Sequence, residues 1–337
     1  MKIVFFDVES YEKDFLNKAC EGKFDYKLIS QPLNELLELT PEITDAEVIS
    51  CFTTSRVTRK ILEHFYNLKM IGLRSVGFNH VDIAYCNEHN ITVETAPNYG
   101  NKSVAEFAFG LLIDVCRKIT RSYINLVNED INPHATVGFE LYGKTIGIVG
   151  LGAIGSEMAR LAYGFGMNIL GYDIKENIEL EEKYSVKYTT FENLLKTSDV
   201  VSLHAPLTQQ NYHLLNEDTF KMMKEKAILI NTARGELVDT QALYNTLKEG
   251  KLWGVGLDVL EFEESISNPD YLIDINRISG NCLKKTLLNN RLLKLPNVIV
   301  TPHIAYDTEE AIKRILTTTV ENIDAFSKGV IQNKINN

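Results

Sequence analysis

Cysteine is scarce in this 337-residue chain and shows no pairing pattern. The five residues Cys20, Cys51, Cys86, Cys116 and Cys282 include no CxxC. An odd, scattered set argues against a disulfide framework or a structural zinc site and for a reducing compartment. Long apolar runs are missing too. The most apolar later stretch, Phe107–Cys116, is interrupted by Gly110 and Asp114 and is too short to span a bilayer. At the start, MKIVFFDVES has one lysine and four apolar residues before an Asp, too few for the core of a signal peptide, and reads as a strand. Positive charge is in deficit, 35 Lys and Arg against 45 Asp and Glu, for a net charge of −10. Such a chain lacks the electrostatic footprint of a nucleic-acid binder, and an anionic membrane surface repels it. With only 8 Pro and 20 Gly, collagen-like and low-complexity character are excluded. The expectation is a cytoplasmic protein that works on neither nucleic acid nor membrane.

The remaining composition, 45% hydrophobic and 24% charged, is that of a globular protein with ample material for a core. At about 150 residues per domain, the length suggests two domains. Short β-rich runs alternate with helix-like segments, the pattern of an α/β protein with parallel sheets. In the first part, strands are expected at Ile3–Asp7, Lys27–Ile29, Val48–Ser50, Met70–Ser75 and Thr92–Thr95. Helical stretches such as Glu12–Cys20 and Arg59–Phe65 separate them. A second set of six begins with TIGIV at Thr145 and continues with NILGY (168–172), DVVSL (199–203), AILIN (227–231), WGVGLD (253–258) and VIVT (298–301). Two sheets imply two lobes. A helix pattern over Lys102–Lys118 connects the sets, and another over Thr308–Lys328 carries Ala311, Ile315, Val320, Ile323 and Phe326 as an apolar stripe. The polar stretch Ile278–Leu295, with scattered leucines, is expected to hold a short helix.

The strongest motif is Gly150-Leu-Gly152-Ala153-Ile154-Gly155, directly after the strand TIGIV and before a helical face of Ile154, Met158, Leu161, Ala162 and Phe165. Glycines in such a turn give a tight bend, close backbone approach to a pyrophosphate, and close packing of helix on strand. The helix N-terminus then favours the anionic phosphates. Alone, GxGxxG is a weak signal. Here Asp173 ends the next strand, 18 residues after Gly155, where an acid accepts hydrogen bonds from ribose hydroxyls and repels a 2′-phosphate. The pattern predicts dinucleotide binding, with NAD as cofactor. His204, at the end of a later strand, is a candidate neighbour of the adenine.

Three further groups follow three successive strands. AILIN runs into Thr232-Ala233-Arg234-Gly235, WGVGLD ends in Asp258 with Glu263 five residues on, and VIVT leads into Pro302-His303-Ile-Ala-Tyr306. Each alone has a bland reading, since an exposed arginine usually sits in a surface ion pair and a lone histidine is usually a structural hydrogen bonder. Together, at the same end of one sheet, they suit hydride transfer to a carbonyl. A guanidinium fork binds a carboxylate or α-keto acid. A histidine donates a proton, and a carboxylate keeps it protonated and oriented. The other histidines, His64, His80, His89, His134 and His213, have no metal-ligand spacing, so no metal is expected.

Over essentially its full length the chain resembles the D-isomer-specific 2-hydroxyacid dehydrogenases. The resemblance is carried by SVGFNHVD (75–82), NYGNKSVAE (98–106), GLGAIG (150–155) with Asp173, LHAPLTQQN (203–211), NTARGELVD (231–239), GLDVLEFE (256–263) and TPHIAY (301–306). It implies Arg234, Glu263 and His303 as the catalytic set, with Val76 and Gly77 giving backbone N–H groups to the substrate carboxylate. It also implies NAD contacts at Ala153, Ile154, Asp173, Ala205, Pro206, Asn211, Thr232, Ala233 and Asp258, with Arg234 bordering the cofactor. The implied fold is α/β, with two Rossmann-like or flavodoxin-like lobes, doubly wound parallel sheets and the active site in the cleft between them. Residues 1–99 and 300–337 would form a discontinuous substrate domain, and 100–299 the NAD-binding Rossmann domain.

Within the family, Tyr99 and Tyr306 resemble the D-lactate and D-2-hydroxyisocaproate branch, where aromatics would wall a small apolar pocket. Tyr99-Gly-Asn-Lys-Ser103 reads more like the glycerate branch. The 39 residues between Glu263 and His303 are long for the family and closer to the lactate branch. The expected activity is NAD-dependent reduction of pyruvate to D-lactate by a homodimer. The enzymatic alternative is D-2-hydroxyisocaproate, hydroxypyruvate or glyoxylate reduction by the same family. The non-enzyme alternative is a dinucleotide-sensing, corepressor-like interaction protein. Such proteins carry long extra termini, whereas this chain ends soon after Lys328.

Overall fold

A computed structural model describes residues 1–130, 137–263 and 280–336. The chain divides into two compact units, Met1–Tyr99 with Thr308–Asn337, and Gly100–Asp307. The second boundary therefore falls at Thr308, later than the 300 expected from sequence. The strand over 298–300 and the turn through His303 stay with the second unit because both are bonded to the strand before them, as described below.

In the first unit, β1 (Lys2–Phe5), β2 (Asp25–Leu28), β3 (Val48–Cys51), β4 (Met70–Leu73) and β5 (Thr92–Glu94) form one parallel sheet in the order β2-β1-β3-β4-β5. Alternation along these strands sends Val4, Ile49, Ile71 and Val93 to one covered face, and Ile3, Phe5, Val48 and Met70 to the other. The second face is closed by Leu16 of helix Ser10–Cys20 and by Leu316 and Ile323 of helix Glu309–Ser327. The last long helix thus packs on the sheet formed by the first residues. Past it, Ile335 N donates to Val93 O at 3.0 Å and Thr95 N donates to Asn333 O at 3.2 Å, so the tail lines the β5 edge.

In the second unit, β6 (Thr145–Val149), β7 (Asn168–Tyr172), β8 (Lys187–Tyr188), β9 (Val200–Leu203), β10 (Ala227–Asn231), β11 (Leu252–Leu257) and β12 (Val298–Val300) are parallel, in the order β12-β11-β10-β9-β6-β7-β8. This is a doubly wound sheet whose order reverses between β6 and β9. Helix Asn101–Arg117 and helix Ala153–Gly164 cover one face, with Leu112, Val115, Met158 and Ala162 packed on Ile146, Ile148 and Ile228. Six strands were expected here. The seventh, β8, is two residues long and polar, so it has no apolar run to announce it. Lys118 takes a left-handed conformation (φ 53°) that ends the first helix and starts a second, Ile119–Val127, which the sequence reading did not separate. The helix expected within 278–295 is Gly280–Leu292; residues 278 and 279 and His134 lie outside the described residues. No helix among the described residues is long and apolar enough to cross a membrane.

Glu94, at the end of β5, is fully buried, and its Oε2 has no hydrogen-bond partner among the described residues. Burial pushes its pKa up to about 7, against the opposing hydrogen bond from Gln332 N at 3.1 Å. A raised folded-state pKa gives stability that is present at low pH and lost as pH rises from 4.5 through about 7. Glu94→Gln removes the ionisation. Its thermal midpoint should exceed that of the wild type at pH 8, by on the order of 1–3 kcal/mol of stability, and the advantage should vanish toward pH 4.5. A difference independent of pH would show that Glu94 stays ionised in the fold.

Candidate active site

The glycine-rich turn leaves β6 at Gly150, whose φ of 89° is open to glycine without strain. A Cβ there would lie 2.6 Å from Ala205 N, and one at Gly155 would lie 1.9 Å from Gly150 O. Both glycines are therefore set by close backbone approach, across the β6–β9 reversal and within the turn itself. Gly152 differs, since a Cβ on it would meet nothing within 4 Å. It caps the 12-residue helix Ala153–Gly164 without any side-chain hydrogen bond, so no capping side chain occupies the leading N–H groups of the helix. That is the cradle an anionic pyrophosphate requires. Asp173 follows β7 and is half-buried. Its Oδ2 accepts from Leu151 N at 2.5 Å and its Oδ1 from Lys175 N at 3.1 Å, which locks the acid to the glycine turn. The donor set and the open cradle fit a dinucleotide.

Across the reversal, His204 follows β9. Its Nε2 is hydrogen-bonded to Ser202 Oγ at 2.8 Å, and burial pushes its pKa down to about 4, so the ring is neutral. Its buried Nδ1 has no partner among the described residues. Ala205 and Pro206 continue into a loop laced by Asn211, whose Nδ2 donates to Pro206 O and whose Oδ1 accepts from Thr208 N, both at 2.7 Å.

Arg234, Glu263 and His303 stand at the carboxyl ends of β10, β11 and β12, three neighbours in the sheet. Buried Asn231 shapes the first turn: its Oδ1 accepts from Ala233 N at 3.0 Å and its Nδ2 donates to Arg234 O at 2.8 Å. Thr232 is buried there, and its hydroxyl has no partner among the described residues. Gly235 must be glycine, because a Cβ would sit 2.1 Å from Leu260 C. The Arg234 turn and the β11 turn are thus in backbone contact.

Asp258 is 1% exposed and organises the third turn. Its Oδ1 accepts from Thr301 Oγ1 at 2.5 Å and Ile304 N at 3.0 Å, and its Oδ2 from Ala305 N at 2.8 Å. His303 N donates to Asp258 O at 2.9 Å. Burial raises the Asp258 pKa, only partly offset by these donors. His303 is held at φ 57° and Phe262, next to Glu263, at φ 54°, conformations unfavourable for both residues. The result is one short contact: His303 Nδ1 lies 2.6 Å from Glu263 Oε1, while Glu263 Oε2 accepts from Leu260 N at 3.1 Å. The surrounding protein disfavours a charged ring, but the hydrogen bond and charge of Glu263, helped by Asp258, outweigh this and the nearby Arg234, and the His303 pKa is raised. Arg234 is half-buried, and its Nη1 donates to Ala233 O at 2.7 Å. Glu261, the neighbouring acid, is fully engaged elsewhere, with His213, Thr240 and Lys285.

Val76, Gly77 and Tyr99 belong to the first unit. The turn after β4 is held by Ser75 Oγ donating to Gly77 O at 2.6 Å, and by buried Arg74, which donates to Phe6 O at 2.6 Å and Asp7 O at 2.9 Å. Val76 is exposed, and Tyr99 O accepts from Arg314 Nε at 2.7 Å. Tyr306, half-buried, follows the Asp258-held turn in the second unit. Asn231, Thr301, Glu261 and His213 were not singled out as site-forming by the sequence, although an Asn ending a strand just before Arg234 was a usable signal. All five cysteines are buried, and no cluster among the described residues could hold a metal ion.

Residues 109–305 match the family model described as D-isomer specific 2-hydroxyacid dehydrogenase, NAD binding domain. The D-lactate dehydrogenase of Escherichia coli is 34% identical over 332 residues, covering 98% of each chain. The glyoxylate reductase of Thermococcus litoralis is 37% identical over 307 residues, covering 89% of this chain and 85% of that one. Among solved structures, the D-lactate dehydrogenase of Aquifex aeolicus, complexed with NAD and lactic acid, superposes with a TM-score of 0.84 at 36% identity, over 97% of this chain and 96% of that one. With the glycine cradle, the acid after β7 and this likeness over nearly its whole length, the chain belongs to the D-isomer-specific 2-hydroxyacid dehydrogenases and is an NAD-dependent oxidoreductase of that family.

Proposed function

We propose that this chain is a D-lactate dehydrogenase, converting pyruvate, NADH and a proton to D-lactate and NAD, and that it works as a cytoplasmic homodimer. The observation that carries the chemistry is the 2.6 Å contact of His303 Nδ1 with Glu263 Oε1, set beside Arg234 on adjacent strand ends. When bound, NADH supplies the hydride to the carbonyl carbon. Arg234 presents its guanidinium to the carboxylate and carbonyl of the 2-oxo acid, neutralising charge and polarising the C=O. His303, with Nδ1 engaged by Glu263, gives the proton on Nε2 to the carbonyl oxygen. Glu263 stabilises the imidazolium until that transfer. In the reverse direction neutral His303 takes the proton from the hydroxyl.

The lactate assignment is supported by the similarity to the two D-lactate dehydrogenases and by Tyr306, an aromatic three residues after the histidine. The roles of Val76, Gly77 and Tyr99 in substrate binding rest on their motifs. The test is NADH oxidation with pyruvate, 2-oxoisocaproate, hydroxypyruvate and glyoxylate side by side, followed by chiral analysis of the product. Pyruvate should give the highest kcat/KM, and the product should be D-lactate. Preference for glyoxylate would favour the reading carried by the Thermococcus relative, and no turnover at all would favour a dinucleotide-sensing interaction protein.

The acid–base roles predict a pH profile. Because the His303 pKa is raised, reduction should fall as pH rises through that raised value. Oxidation of D-lactate should rise over the same range. Glu263→Gln removes the charge while keeping the shape, so the alkaline limb of reduction should move to lower pH, with little loss in acid where the imidazole is protonated anyway. His303→Ala should lower kcat by on the order of 10²–10⁴-fold at every pH. An unmoved limb in Glu263→Gln would remove Glu263 from the mechanism.

The dimer is supported by helix Ile119–Val127, where Ile119, Tyr123, Leu126 and Val127 are exposed large apolar residues at helical spacing. Light scattering should give twice the chain mass, and Tyr123→Lys with Leu126→Lys should halve it. A wild-type mass of one chain would end this assignment.

A further inference from the structure

Beneath the site lies a buried polar junction that the chemistry above does not use. Glu261 is 1% exposed, two residues before Glu263. Its Oε2 accepts from Thr240 N at 3.0 Å, from Thr240 Oγ1 at 2.5 Å and from Lys285 Nζ, and its Oε1 is hydrogen-bonded to His213 Nε2 at 2.8 Å. Its backbone oxygen accepts from Asn289 Nδ2 at 2.8 Å. These partners come from three places in the chain. Thr240 opens helix Thr240–Lys248, which follows the Arg234 turn. His213 ends the loop of Ala205, Pro206 and Asn211. Lys285 and Asn289 lie on helix Gly280–Leu292. Glu261 itself lies on the turn that presents Glu263.

The pieces are also linked through their backbones. His213 N donates to Glu236 O at 2.9 Å, and Asp239 N to Leu215 O at 2.8 Å, so the cofactor-side loop and the segment after Arg234 run together. Asp239 Oδ2 lies 3.5 Å from His213 Nδ1 on the junction's outer side, and the Tyr212 ring stacks on His213 at 4.1 Å. A buried carboxylate with four donors has one orientation. That orientation fixes the Arg234 segment and the Glu263 turn together.

We propose that Glu261 is a positioning residue for this reaction: by clamping Thr240 and His213 it sets the Glu263 turn, and through it the hydrogen bond to His303. The proposal rests on the roles given above to Glu263 and His303. Removing Glu261 alone would strand the Lys285 ammonium in the interior, so folding and positioning must be separated. Two double variants do this. Glu261→Met with Lys285→Met deletes the ion pair and the clamp. Glu261→Gln with Lys285→Met deletes the ion pair but keeps an amide that can accept from Thr240 and donate to a neutral His213.

The expected result is that the glutamine pair keeps kcat and the alkaline limb of pyruvate reduction near wild type. The methionine pair, compared well below its melting midpoint, should lose about 10–100-fold in kcat, with its alkaline limb moved to lower pH. Thr240→Val, which removes one donor, should shift both in the same sense by less, and it decides alone should the methionine pair not fold. If kcat and limb stay at wild type in the methionine pair and in Thr240→Val, or follow the melting midpoint equally in both pairs, Glu261 is only structural and the proposal is overturned. Glu263→Gln is run alongside. A limb that moves in Glu263→Gln but not in the clamp variants sinks this inference alone. A limb that moves in neither sinks the roles of Glu263 and His303 as well.

Discussion

The carboxylate of Asp258 is the constraint on which the site depends. Taking an acid out of water is unfavourable unless its oxygens are satisfied, and Asp258 accepts from Thr301, Ile304 and Ala305. Those donors are the turn that carries His303. The residue between them cannot relax from φ 57° without breaking hydrogen bonds to a buried acid, so an unfavourable conformation of about 1–3 kcal/mol is held in place. The same carboxylate adds to the field that favours the His303 imidazolium. One residue therefore fixes where the ring stands and biases the proton it carries.

The parallel sheet explains why these groups gather at all. Every strand of the second unit ends at the same edge, so each turn that follows β6, β7, β9, β10, β11 or β12 opens on one side. The order reversal between β6 and β9 leaves room there, and the helix after Gly152 brings an uncapped N-terminus to it. The glycine cradle, Asp173 and His204 follow β6, β7 and β9. The Arg–Glu–His group lies on the next three strands. On the roles proposed above, cofactor binding and proton transfer would occupy adjoining stretches of one edge.

The division of labour proposed for these residues is compatible with likeness among relatives that carry different names. Carboxylate and carbonyl are common to every 2-oxo acid, and they are read by charge and hydrogen bonds, where a misplaced partner is costly. A substrate side chain is read by apolar contact, worth only about 1–3 kcal/mol per methylene. Many side chains meet that demand. A D-lactate dehydrogenase at 34% identity and a glyoxylate reductase at 37% therefore both retain likeness over most of this chain.

What was legible in the sequence is what depends on neighbours along the chain. GLGAIG followed a strand and preceded an apolar helical face, and Asp173 closed the next strand, so the cradle could be read from about thirty residues of local pattern. Arg234, Glu263 and His303 could be read because each follows an apolar strand. The boundary at Thr308 was not legible, because it is set by Asp258 binding a turn more than forty residues later. Glu261 is the sharper case. As a sequence feature it is one acid among neighbours, and His213 is a histidine without a motif. Their partnership spans 48 residues, and that of Glu261 with Lys285 spans 24. No periodicity marks such a pair, because burial of a polar group is satisfied by whatever donor the packed fold brings to it, not by its neighbours in sequence. The groups proposed to react are recognisable by type and position, whereas the groups proposed to aim them are recognisable only by what they touch.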